Sequence, residues 1–422
     1  MSDLDVFIGG LLAGQIFSNS YHVDSIQHFF PDYSNDDAKF DGILMLLMFH
    51  IGGVVAGIVN IAYARDDGAI GMARNTIMWI AFIAWLCGNY GVGYSYSLVD
   101  FQYLASHGNN ATDALNAKLQ LDRIATFIFI DFGGGVFYWC MVGISLQRAR
   151  GGFPIPPIDV TAHLLSWPIF ALLIDACFQS VLAENGGYFY LNRIVAVSAT
   201  VAFAARALLI FPNVVDECGK SEHKQTNGSI YRDGLVSSWA IGSTQMFTLT
   251  ICMSFMYIPF VTLPFSTNDG LGYIFGGMVL GGGVGGLLLS TNATNIFSAW
   301  EFGIMCRIHD ICAAVSGVIM AVLMFIWGSA PNNAIVFFYG SSVGMIISWY
   351  LFQAVRKQKD VRTISWVLTY TMCSVIGISI ALIMARDDWS EGAPAAVKIL
   401  ATIHAVTLGV IVVPLIVCNG LV

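Results

Sequence analysis

Charge is what this chain has least of. Asp, Glu, Lys and Arg together make up 11% of its 422 residues, against about 25% in a soluble globular domain. Hydrophobic residues reach 56% and the mean hydropathy is +0.70, so an aqueous fold is excluded. Metal-like cysteine spacing is also missing: there are nine cysteines, and none forms a CxxC pair. Cys87, Cys140, Cys177, Cys252, Cys312 and Cys373 fall inside apolar runs, where thiols act as small hydrophobes. No nucleophile–base pair, phosphate loop or zinc spacing is present, which argues against an enzyme. The first apolar patch, Val6 to Phe17, follows no basic segment, so no cleaved targeting peptide is expected.

What the chain does have is long apolar runs. Eleven are long enough to cross a bilayer, at about 41–63, 73–98, 124–147, 160–183, 188–211, 235–259, 271–290, 302–327, 333–354, 362–385 and 395–418. A hydrocarbon core of about 30 Å needs roughly 20 apolar residues per helix. The expected fold class is therefore all-α and integral to the membrane, with eleven transmembrane helices. Residues 1–40 are expected to form an extramembrane segment and 41–420 one membrane domain. Polar connections at 99–123 and 212–233 leave no room for a soluble domain.

Basic residues favour the inner side of a membrane. Alternate loops carry Arg65 and Arg74; Arg148 and Arg150; Lys220, Lys224 and Arg232; then Arg356, Lys357, Lys359 and Arg362. With those loops inside, eleven crossings put the N-terminus outside and the C-terminus inside. Sequons stand at Asn110, Asn227 and Asn292, of which only Asn110 lies in an expected outer loop. Glycines at 277, 281 and 285 recur every four residues, the spacing that lets membrane helices approach closely. Eleven spans also permit two inverted five-helix repeats plus one extra helix.

Ionisable residues at membrane depth are functional suspects. Asp131 lies two turns into the third span and Asp175 near the middle of the fourth, where helix pairing and a solute path are both open. Arg307 and Asp310 are spaced for a helical ion pair, with His309 between them, and Arg206 can snorkel to an interface. His50, His163, His309 and His404 sit on different helices, an arrangement that does not suit haem or metal. No cofactor, metal or nucleic-acid partner is expected.

Some stretches suggest a family. Ala62-Tyr63-Ala64-Arg65-Asp66-Asp67-Gly68 with Asn75-Thr76, Gly91-Val92-Gly93-Tyr94-Ser95, and Gly133-Gly134 through Gln147-Arg148-Ala149-Arg150 resemble the ammonium transporter (Amt/Mep/Rh) family. The resemblance would span roughly 40–420 and agrees with eleven helices and an outside N-terminus. It implies a homotrimer and a pore with two facing histidines. Here those positions fall on Asn192 and Tyr370, with Glu184 as the acid at the outer mouth and Phe129, Phe132 or Phe137 as gate residues. Placing His309 at the second histidine position would put it two helices too early. The resemblance implies passage of ammonium, ammonia or another small polar solute. The alternative is a non-conducting relative built into a larger complex of membrane subunits. A plasma membrane is favoured over an organelle membrane.

Overall fold

The computed structural model describes residues 3–21, 35–62, 68–98, 120–150, 165–174, 187–210, 269–293, 299–327, 333–356 and 362–386, with a few isolated positions besides. All of these segments are helical. They are α1 (Asp3–Tyr21), α2 (Asn35–Ala62), α3 (Gly68–Leu98), α4 (Gly133–Arg150), α5 (Leu165–Ile174), α6 (Gly187–Ile210), α7 (Asp269–Ala293), α8 (Ala299–Trp327), α9 (Asn333–Arg356) and α10 (Arg362–Arg386). Among the described residues, the helical stretches Phe40–Ala62, Arg74–Tyr94 and Gln120–Leu146 are long and apolar enough to cross a membrane. A helix satisfies its own backbone groups, which lipid cannot do. That is why such apolar runs form helices and nothing else.

Just before α4 the helix widens. Thr126–Phe132 is π-helical, and the Gly133 N–H closes the wider turn onto the Ile128 carbonyl. Such turns are rare and occur frequently at functional sites. This one packs against both α2 and α3.

Helices α1 to α10 all contribute to one apolar core, with Leu12, Phe49, Phe82, Trp85, Phe137, Leu191 and Val367 almost wholly buried. Here α2 lies along α4 and α10, α3 along α6, and α1 along α2 and α6. In the second half, α7 pairs most closely with α9, and α8 packs on α9. Glycine is required at that pairing. A Cβ on Gly281 would lie 1.9 Å from the Ser341 carbonyl oxygen, and one on Gly344 would lie 2.4 Å from that of Met278. The glycine spacing expected to bring membrane helices together is thus seen to do so.

The outward surface is apolar. On α8, Ile311, Val315, Val318 and Val322 are exposed along one stripe, and Ile80 and Ile83 are exposed on α3. Water would not tolerate such faces, whereas lipid matches them. This is an integral membrane protein, helical in every described segment.

Helix α1 lies within the segment 1–40. Ile8, Leu12, Ala13 and Ile16 are fully buried and belong to the same core as α2 to α4. The span 235–259 lies outside the described residues, and 395–418 is described at isolated positions only.

Candidate functional site

Three features bring polar chemistry to the inside of this apolar bundle. The first is a cluster of carboxamides. Gln15 on α1, Asn89 on α3 and Asn192 on α6 are each fully buried. The Gln15 Nε2 group donates to Asn192 Oδ1 at 2.6 Å and also to Asn89 Oδ1. Asn89 in turn donates to the Trp85 carbonyl at 2.9 Å, one turn back on its own helix. Three helices are thereby tied by one side chain. Gln15 Oε1 is left buried with no hydrogen-bond partner among the described residues. One turn further along α1, Ser18 Oγ and both amide atoms of Asn19 are in the same condition.

The second feature is Asp131, on the π-helical turn. It is fully buried, and neither carboxylate oxygen has a hydrogen-bond partner among the described residues. An isolated charge at that depth is costly unless a proton or a bound ion neutralises it. Other ionisable groups of the first half are already engaged: Arg123 pairs with Asp41 at 2.5 Å, and His50 Nδ1 lies 2.8 Å from the Leu46 carbonyl.

The third feature is aromatic. Tyr370 on α10 stacks on Trp366 with ring centres 5.0 Å apart and lies 5.1 Å from Trp139 of α4. Asn60 of α2 donates to the Trp139 carbonyl at 3.3 Å.

The structure therefore puts Asn192 in the amide cluster and Tyr370 in the aromatic one, in contact with different helices. The candidate gate residues also separate. Phe137 is buried between Phe82 and Trp79, at 5.0 and 5.7 Å. Phe132 is half-buried against the core, and Phe129 is 46% exposed, facing outward. Glu184, Asp175, His163, His404, Asn110 and Asn227 lie outside the described residues. So do the side chains of Arg206, Asn292, Arg307, His309 and Asp310. Among the described residues no three His, Cys, Asp or Glu side chains gather to hold a metal. Among the described residues, Cys87, Cys140, Cys312 and Cys373 form no disulfide.

Charge and family resemblance single out Asp131 and Asn192 in the sequence but pass over Gln15 and Asn89. Each of these is an uncharged amide within an apolar run, and that is the only signal the sequence offers for them. A scan for charge does not see it.

No protein-family model and no curated protein matches this chain. Solved structures do match it in shape. One is a Major Facilitator Superfamily transporter, FucP, in its outward conformation, at TM-score 0.55 and 12% identity over 96% of each chain. Another is a bacterial homologue of the iron transporter ferroportin, in an outward-facing state with soaked iron. It gives TM-score 0.54 and 10% identity over 97% of this chain and 98% of that one.

These likenesses overturn the resemblance to ammonium transporters, and with it the basis for a homotrimer. The stretches that carried the resemblance are short and rich in glycine and other small residues. Any tightly packed membrane bundle needs small residues where helices cross, so such matches do not tell one fold from another. Gly91 shows the point from the other side, since a Cβ there would meet nothing within 4 Å. What this chain shares with the two solved structures, at such low identity, is the fold alone.

Proposed function

We propose that this protein is a multi-pass transporter of small polar solutes, with its solute path beside the buried polar residues of α1, α3, α6 and the π-helical turn. The observation that carries this reading is the set of polar atoms inside the apolar bundle that have no partner among the described residues. They include the two oxygens of Asp131, Gln15 Oε1, Ser18 Oγ and the Asn19 amide. Lipid-embedded proteins rarely leave such groups unsatisfied unless something else is to meet them. Neutral amides can hydrogen-bond a polar solute that has shed its water. Asp131 adds a charge that a cationic solute or a proton would balance.

The membrane domain extends through α1 in this reading. That helix has 19 residues, and at about 1.5 Å per residue it nearly matches a bilayer core of about 30 Å. Adding it to the eleven spans gives twelve crossings, with both termini inside and the basic loops still inside. The absence of a nucleophile–base pair in the sequence supports transport over catalysis.

A binding screen tests the proposal across solute classes. Purified protein would be heated with sugars, amino acids, organic cations and metal salts in turn, since a ligand of the native state raises the melting temperature. The expected result is stabilisation by one class, lost in Asn192→Ala, and saturable uptake of that class into proteoliposomes. If no class stabilises the protein and none enters faster than into empty liposomes, the transport reading fails.

A further inference from the structure

Where α3 ends and α6 begins, a cation lies on the outside of the bundle. Arg193 stands near the start of α6, which begins at Gly187, and Gly93 and Tyr94 stand near the end of α3 at Leu98. The bias of basic loops puts both of these ends on the outer side. A helical side chain leans toward the N-terminus of its helix, so Arg193 is carried toward the outer headgroups.

An arginine that merely escaped lipid would extend to water. Arg193 is half-buried and turns across to the neighbouring helix instead. Its Nε donates to the Gly93 carbonyl. Its guanidinium carbon lies 4.8 Å from the Tyr94 ring centre and 5.3 Å from that of Tyr190. The carbonyl and the two rings fix the fork in place. Its terminal nitrogens have no acceptor among the described residues, and no carboxylate there pairs with the charge. What remains is a held, planar set of N–H donors, the pattern that grips a phosphate through two bonds at once.

Inward from this cation runs an apolar lane. On α6, Tyr190 is followed by Ile194, Val197 and Val201, all exposed and all on one face of the helix. On α3, Gly91 is exposed one turn inward from Tyr94. Nothing stands within 4 Å of where its Cβ would be, so the surface is notched there. The Tyr90 hydroxyl meets Thr200 Oγ1 at 2.9 Å and pins the two helices to each other. Because Tyr94 and Tyr190 both touch Arg193, the faces of α3 and α6 that carry them begin on either side of it. A free anion would have no use for the lane, and a neutral lipid would have none for the fork. A phosphate joined to acyl chains uses both.

We propose that the groove between α3 and α6 binds one phospholipid of the outer leaflet, its phosphate on Arg193 beside Tyr94 and Tyr190 and an acyl chain along the apolar lane. The site does not depend on the transport reading. Asn192, the residue before Arg193, enters the amide cluster, so the lipid fixes α6 from outside at the level where the amides tie it from inside.

Native mass spectrometry of delipidated protein, titrated with dioleoylphosphatidylglycerol, tests the site. The expected result is a single lipid bound ahead of all others, with affinity about tenfold weaker in Arg193→Gln as a charge-assisted contact is lost. Dioleoylglycerol, which has the chains without the phosphate, should bind no better to the parent protein than to that variant. Equal binding of dioleoylglycerol and the phospholipid would mean ordinary lipid contact and would overturn the proposal, as would unchanged affinity in a folded Arg193→Gln protein. Displacement of the lipid by an equal concentration of inorganic phosphate would also overturn it, by making this a site for a free anion. Because Arg193 itself ties α3 to α6, Gly91→Leu supplies a check that leaves the tie alone. A Cβ there meets nothing, so the fold should hold, while the side chain fills the notch and weakens the lipid by about fourfold. Unchanged affinity in Gly91→Leu would count against the groove as decisively as in Arg193→Gln.

Discussion

Replacing Gln15 by leucine removes the donor that ties α1 to both α3 and α6. Two side-chain hydrogen bonds disappear, to Asn89 and to Asn192. Interhelical hydrogen bonds inside membranes average about 0.6 kcal/mol and reach about 1.7, so two give roughly 1–3 kcal/mol. The stranded Asn89 carbonyl oxygen pushes the cost toward the upper end, because it has lost its donor in a dry interior. Leucine has nearly the size of glutamine and offsets part of this by filling the space with apolar atoms. A destabilisation of about 2 kcal/mol is therefore expected. The assay is reversible unfolding in mixed micelles, run as a double-mutant cycle with Asn192→Leu. A coupling energy of about 0.6–1.7 kcal/mol between the two positions is expected. Coupling below about 0.3 kcal/mol would refute the reasoning, because the bond would then contribute nothing that its partner's removal does not.

Asp131→Asn should leave the fold intact and the melting temperature equal or higher, since the carboxylate has no hydrogen-bond partner to lose among the described residues, while solute uptake falls. A clear drop in stability would instead reveal a partner. Gly281→Ala should destabilise the α7–α9 pair by more than about 2 kcal/mol, because the new methyl would overlap the Ser341 carbonyl. Gly283→Ala on the same helix meets nothing within 4 Å and should be neutral; equal effects would disprove the packing described. Phe137→Ala should cost about 3–5 kcal/mol as a cavity in the core. Phe129→Ala, on the outward face, should stay within about 0.5 kcal/mol, and thermal unfolding of the two variants side by side would show the difference.

The apolar runs make most helices visible in the sequence, because a lipid-facing helix must be apolar over its whole length. The expected spans 41–63, 73–98 and 124–147 overlap α2, α3 and the stretch through the π-helical turn into α4. Helix α1 escapes for a physical reason. Its Asp5, Gln15, Ser18, Asn19 and Ser20 are buried within the protein, so it need not look like a helix facing lipid. The family resemblance fails because such short pieces do not carry the order in which helices cross, and Gly91 in one of them lies at no crossing. Asp131 is legible as a charge at depth, but its surroundings cannot be read from any spacing. Likewise nothing in the sequence joins Gln15 to Asn192 across 177 positions; only the packing of α1 against α6 does so.

The wide turn at Thr126–Phe132 gives this helix a spare residue. An α-helix turns about 100° per residue, so side chains on the two sides of the turn are set by separate phases. Asp131 can face the bundle interior while Ile128 and Phe129, just before it, face lipid. Deleting one residue from the turn would let it relax to an ordinary α-helix without moving either end far along the membrane normal. The flanking segments would keep their faces, because the wide turn holds the extra residue within a single turn. In this stretch, one residue of length can be lost without a change of direction.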